Sequence, residues 1–398
     1  MKPYGPIPDW WTAERLAALL PMADAGTPLF VYDLGQVETK IAYLRNSLPG
    51  IVSIHYAMKA NPFAPLLSAM VGQVDGVDVA SGGELAAAIA AGATHISFAG
   101  PGKTDAELEQ AIIAGVTLNL ESEGEAGRAL HIAARLGVTP KLAVRVNPPF
   151  ALKGSGMKMG GAASPFGVDA DRAAALVRRL IDAGADWRGL HIFAGSQSLD
   201  GDAVAEAQAA TVTLAAEIAE AVGVTPPLVN LGGGFGIPYF AGDRALDVAA
   251  IGARLGETLA NRPAILRETR FALELGRWLV GEVGIYFTRV IDRKESRGET
   301  FLVVDGGLHH QLAASGNFGT VVRRNYPVAV VGGEGALETV SVVGALCTPL
   351  DRLADQVQLP RADVGDVIAI FMAGAYGATA SPTAFLGHTP AREILIGQ

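Results

Sequence analysis

The stretch Ile54-His55-Tyr56-Ala57-Met58-Lys59-Ala60-Asn61-Pro62 decides how this chain is read. It is an apolar, β-prone run that ends on a lysine and is stopped by Asn-Pro. Burying an ammonium costs free energy unless the group is paired or gives up its proton. Lysines that do give up the proton serve as nucleophiles and Schiff-base amines. A strand-end lysine can equally snorkel to solvent, so the stretch takes its meaning from the residues C-terminal to it.

Beyond Pro62 the chain alternates regularly. Short β-prone runs at 54–59, 76–80, 96–100, 118–121, 142–147, 190–195, 228–233 and 271–275 alternate with Ala-rich amphipathic runs. The clearest helical runs are 83–91, 105–114, 123–136, 169–183, 203–221 and 248–261. Several open on capping chemistry, as in Thr104-Asp105-Ala106-Glu107, or close on Gly92, Gly115, Gly137 and Gly184. Eight strand–helix units predict a (β/α)8 TIM-type barrel, with a doubly wound sheet as the competing α/β fold. The polar and glycine residues at the strand ends (Lys59, Ser81, Asn147, Ser196, Gly232 to Gly234, Glu274) favour the barrel, whose sites lie on that face.

After about residue 280 the helical period stops. Runs at 283–291, 300–304, 326–331, 339–346 and 366–372 predict an all-β domain. The expected division is a barrel over 28–278 and a β domain from 1–27 and 279–398, with a strand at 29–32 and a helix at 35–47 assigned to the barrel side. Residues 11–20 predict a lone helix, and the glycine-rich segment 146–167 predicts a mobile loop at the barrel mouth.

Composition narrows the class. The chain has 398 residues, 50% apolar and only 18% charged, enough for two large cores. A net charge of −9 with no basic block argues against nucleic acid and anionic membrane. No apolar run reaches the roughly 18 residues of a membrane span, and the N-terminus lacks a signal-peptide pattern. The single cysteine, Cys347, fits a reducing cytoplasm. No metal-ligand spacing is present, so no metal site is expected.

Several motifs carry chemistry. Leu231-Gly232-Gly233-Gly234-Phe235-Gly236 follows a strand and suits an anion, although a tight barrel-top turn would need the same glycines. Glu274-Leu275-Gly276-Arg277 puts a carboxylate at the eighth strand end, where it needs a partner such as Arg277 or a cationic ring nitrogen. His191 and Phe193 lie two apart on one strand face, a surface on which a flat cofactor could stack, although barrel core with a satisfied histidine is the commoner meaning of His191 alone. Asp305-Gly306-Gly307 and Cys347-Thr348-Pro349-Leu350-Asp351 each follow a strand, and Gly374-Ala375-Tyr376-Gly377 holds a tyrosine between glycines.

In this order the motifs resemble the fold-type III pyridoxal-phosphate decarboxylases, the family of diaminopimelate, ornithine and arginine decarboxylases. The resemblance runs from about residue 28 to 396. Tyr56-Ala57-Met58-Lys59-Ala60-Asn61 is similar to the motif whose lysine carries pyridoxal 5'-phosphate. Asp78-Val79-Ala80-Ser81-Gly82-Gly83-Glu84 and the Gly232–Gly236 turn are similar to further motifs of the cofactor site. The resemblance implies catalytic roles for Lys59 and Cys347. It implies cofactor contacts for Asp78, His191, Phe193, Ser196, Gly233, Gly234, Phe235, Glu274, Gly276, Arg277 and Tyr376. Substrate contacts fall to Arg277, Asp305, Thr348, Asp351 and Tyr376. It further implies a homodimer in which the β domain, through Cys347, completes the partner's site.

Two departures concern the substrate. Phe193 stands where the family commonly has histidine, which keeps a ring but removes a proton role. Thr348 stands where an acid normally follows the cysteine, so a distal ammonium loses its carboxylate, with Asp305 and Asp351 as substitutes. With the glycine-rich run Gly154-Ser155-Gly156-Met157-Lys158-Met159-Gly160-Gly161, Phe193 and Thr348 make the chain resemble an exosortase-associated subgroup and relatives that act on carrier-bound substrates. The expected function is decarboxylation of an α-amino acid without a distal ammonium, held on an acyl carrier protein. Diaminopimelate decarboxylation, a racemase on the same cofactor and an inactive regulatory homologue are the alternatives. The racemase expectation is weakened because Lys59-Ala60-Asn61-Pro62 lacks the racemase lysine motif.

Overall fold

The computed structural model describes residues 1–316 and 323–397 and divides into two compact units. One unit comprises Glu38–Gly236 and Ala245–Gly276, the other Met1–Val37, Ile237–Arg244 and Arg277–Gln398.

The first unit is a closed parallel barrel. Its strands are β1 (Val52–Ala57), β2 (Gly76–Val79), β3 (Ile96–Phe98), β4 (Thr117–Leu120), β5 (Lys141–Asn147), β6 (Asp186–Ile192), β7 (Leu228–Asn230) and β8 (Arg270–Leu275). Each pairs in parallel with the next, and β8 pairs with β1, where Glu274 lies opposite His55. This closure excludes the doubly wound sheet. All eight strands predicted from sequence are present, with shifted ends. The largest shift is in β6, which starts at Asp186, on charged residues that a search for apolar runs passes over.

Helices return the chain between strands, and their ends follow local chemistry. Thr104 and Glu107 form a capping box at the start of Asp105–Ala114, which Gly115 closes in the left-handed region at φ 65°. Ser81 caps Gly82–Ala90 by accepting from the Glu84 N–H, and Glu84 Oε2 accepts from the Ala80 N–H at 2.7 Å. The Ser81/Glu84 part of that motif is therefore a helix start.

The second unit is a mixed eight-stranded sheet. Its path runs Val328–Val330, Val367–Ile370, Gly284–Ser296, Glu299–Val304, Leu337–Val343 and Arg352–Pro360. Leu29–Asp33 adds to it, antiparallel to Gly284–Ser296 and parallel to Arg392–Ile396. Leu29–Asp33, which a boundary at residue 28 would put on the barrel side, is buried throughout and pairs within the β sheet. The strands Arg352–Pro360 and Arg392–Ile396 went unread in the sequence. Trp11, with Leu16 and Leu19 from the N-terminal helix Ala13–Asp24, packs on Leu29, Val31, Ile285, Phe287 and Phe371 to form this unit's core.

Candidate active site

Lys59 lies just past β1, on the single 3-10 turn Met58–Ala60, not within the strand as the sequence suggested. Asn61 sets this turn. Its N–H bonds the Met58 carbonyl at 3.0 Å, and its carbonyl accepts from Tyr56 Oη at 2.7 Å. The Lys59 side chain is about half exposed, so its ammonium is not trapped in an apolar strand. Nζ stands 3.4 Å from Glu274 Oε1 and 5.9 Å from the centre of the Phe193 ring.

Glu274, near the end of β8, is buried. Its other oxygen, Oε2, is 3.0 Å from His191 Nε2. Burial favours the neutral acid, but Lys59, the His191 hydrogen bond and the charge of Arg145 more than offset it. The carboxyl is therefore held well below the usual carboxylate range. The His191 side chain is buried with Nε2 bonded to Glu274, and Phe193 is half-buried beyond the end of β6.

The turn after β7 is built by close approach. A Cβ on Gly233 would come 2.0 Å from the Glu274 carbonyl oxygen, and one on Gly234 2.7 Å from that of Gly195. Gly232 and Gly234 also take φ of +69° and +83°. Gly232 N–H bonds Asn230 Oδ1 at 2.8 Å, and Gly236 N–H bonds the Ser198 carbonyl at 2.8 Å. Phe235 bridges to Ser198 and is buried. Gly276 is equally constrained: its Cβ would meet Ala60 Cβ at 2.8 Å. Ser196 is half-buried and pairs with Met157, so the glycine-rich loop expected to be mobile is tied to 195–196 by two short strands. Asp78 is buried and turned towards His55, with Oδ2 3.5 Å from Nδ1, so it bears on the barrel interior.

The barrel-side residues fit pyridoxal phosphate. That cofactor requires an amine, an acid for its ring nitrogen and an anion cradle. Lys59 supplies the amine, Glu274 a buried carboxylate kept ionised, and the Gly232–Gly236 turn a run of backbone without side chains, packed too closely on its neighbours to admit a Cβ, of the kind that suits an anion.

In the second unit Arg277 is packed among tyrosines. Its Nη1 donates to Tyr239 Oη at 2.8 Å, and its Cζ lies 4.6 Å over the Tyr376 ring. Burial opposes its charge, but Tyr239, Tyr376 and Tyr326 more than offset this and raise its pKa. Sequence reasoning named Arg277 and Tyr376 but missed Tyr239 and Tyr326; only the Pro238-Tyr239 step after the glycine turn hinted at the first.

The two carboxylates expected as substitute partners both accept hydrogen bonds from their own domain. Asp351 is buried and accepts from the Leu308 and Leu346 N–H groups at 2.6 and 2.8 Å. Asp305 accepts from Thr288 Oγ1 at 2.7 Å, from the Arg289 N–H at 2.9 Å and from Thr27 Oγ1. Both carboxylates brace loops of their own domain through these bonds. Cys347 is exposed and Thr348 half-buried, on the turn after Leu337–Val343.

Comparison with known proteins agrees with this chemistry. Residues 34–281 match the pyridoxal-binding domain of the pyridoxal-dependent decarboxylases. The L-glutamyl-[BtrI acyl-carrier protein] decarboxylase of Niallia circulans is 37% identical over 93% of this chain and 88% of its own. A Staphylococcus aureus decarboxylase of 2-[(L-alanin-3-ylcarbamoyl)methyl]-2-hydroxybutanedioate is 29% identical over 93% of this chain and 94% of its own. The crystal structure of Helicobacter pylori diaminopimelate decarboxylase with L-lysine superposes with a TM-score of 0.84 at 26% identity, covering 96% of this chain and 94% of that one. The chain belongs to the pyridoxal-dependent decarboxylases, the fold-type III family of barrel and β domain, and is a decarboxylase by that membership.

Proposed function

We propose that this enzyme uses pyridoxal 5'-phosphate to decarboxylate an α-amino acid that has no distal ammonium and is carried on an acyl carrier protein. The observation that carries the substrate reading is the loss of acidic partners. Thr348 follows Cys347, and the carboxylates of Asp305 and Asp351 are taken up by backbone and hydroxyl donors. A diamino acid would leave its second ammonium without a charge partner, at a cost of a few kcal/mol if it is buried. The Niallia circulans relative acts on a glutamyl group on its carrier, a substrate without that ammonium.

The chain's own residues have distinct tasks. Lys59 Nζ would bond the cofactor carbon, and Glu274 would hold the ring-nitrogen proton. His191 fixes the Glu274 oxygen it bonds and keeps the carboxylate ionised. Phe193 offers a ring face near Lys59 without a titrating group. Bound pyridoxal phosphate supplies an electron sink for the pair left when CO2 departs. Cys347 Sγ, brought by a second copy of the chain, or Lys59 Nζ would return the proton to the α-carbon.

Supplying the enzyme with glutamyl-carrier protein and, separately, with free diaminopimelate, ornithine, lysine and arginine tests this reading. CO2 release from the carrier-bound substrate at least about a hundredfold faster in kcat/KM supports it. Efficient turnover of a free diamino acid would sink it.

A further inference from the structure

We infer that the N-terminal mouth of the barrel is a second binding site, for a small phosphorylated metabolite. It lies at the opposite ends of the strands from Lys59 and Glu274. A cavity of about 610 Å³ opens there, within the usual range for small-molecule sites.

The cavity exists because the barrel is not filled in the common way. TIM-barrel interiors are usually packed by layers of branched aliphatic side chains. Here the lower lining includes Ser53, Ser97, Asn119, Ala143 and Asn230, which are small or polar. Asn119 Nδ2 donates to Ser97 Oγ at 2.6 Å, so part of this polar floor is ordered. His55 closes the floor, its ring set against Gly76, where a Cβ would come 2.8 Å from Nε2.

The rim is cationic. Lys141, Arg188 and Arg270 lie at or near the starts of β5, β6 and β8 and line the same cavity. The one lining carboxylate, Asp75, is already engaged by Arg45 at 3.0 and 3.1 Å and by the Ile54 N–H at 2.7 Å. Asp186 reaches Arg188 only at 3.4 Å. A chain of net charge −9 thus gathers three cations around one recess, which focuses a positive field into it. Guanidinium and ammonium groups suit a phosphate, and hydroxyls and amides below suit a hydroxylated body.

Calorimetric titration of the cofactor-saturated enzyme tests this. Keeping the cofactor saturating removes its own phosphate cradle as a competing site. The probes are glycerol 3-phosphate and inorganic phosphate. Saturable binding is expected, tighter for glycerol 3-phosphate and weaker as salt rises. The double variant Lys141→Ala/Arg270→Ala, both exposed positions, should lose at least about tenfold in affinity, about 1.4 kcal/mol. The control Arg135→Ala, on a helix and paired with Glu109, should bind as the parent does. Absence of saturable binding, or equal affinity in the double variant, would overturn the site. Equal affinity for the two probes would overturn its assignment to a phosphorylated metabolite.

Discussion

His191 Nε2 lies 3.0 Å from Glu274 Oε2, with both side chains buried, while Lys59 Nζ approaches the other carboxylate oxygen at 3.4 Å. The carboxylate is thus held between two nitrogen donors. Glu274→Gln keeps the shape but removes the charge. It should lower kcat by roughly 10²–10³-fold, measured by steady-state CO2 release. Because the folded-state pKa is depressed, the stability it contributes is present above the ordinary carboxylate range and is lost as pH falls below it.

Gly233 meets the Glu274 carbonyl so closely that Gly233→Ala must move one of them. The substitution should cost about 1–3 kcal/mol in urea denaturation. It should also weaken retention of the cofactor on dialysis, because both the cradle and the strand bearing Glu274 shift. Unchanged stability would show that this turn has slack.

His55 is buried beside Asp78, and its pKa is raised above 6.5. Burial lowers it, but Asp78, Glu274 and Asp75 together outweigh that. A raised histidine contributes stability below its unfolded pKa and loses it as pH rises through the folded value. The melting-temperature advantage of the parent over His55→Gln should therefore shrink as pH rises above about 6.5 and through the raised folded-state value. An advantage that grows with pH would show the imidazole to be neutral.

Cys347 is exposed on its own chain. If its thiol, brought by a second copy, is the proton donor, Lys59→Ala and Cys347→Ala should each be nearly inactive alone. Mixed and allowed to exchange subunits, they should regain activity, since some sites then combine an intact Lys59 with an intact Cys347. No recovery despite demonstrated exchange would place both residues in a site built by one chain.

Much of this was legible because the signals are local. Asn61-Pro62 stops β1 and sets the turn bearing Lys59. Successive glycines mark the turn after β7, and the eight apolar runs mark the barrel. The features that stayed hidden depend on partners distant in sequence. Leu29–Asp33 is a buried strand in either domain, and only its pairing with Gly284–Ser296 assigns it to the β sheet. A partner 83 residues away claims His191. Asp305 and Asp351 read only as possible substitute partners for an ammonium, because the backbone N–H donors they accept from leave no trace in a residue pattern.

The sharpest test of the substrate assignment is intact-protein mass spectrometry of glutamyl-acyl carrier protein incubated with the enzyme and pyridoxal phosphate. The carrier should lose the mass of one CO2, and Lys59→Ala should abolish the loss. An unchanged carrier mass, with free diaminopimelate converted to lysine by the same preparation, would contradict the assignment.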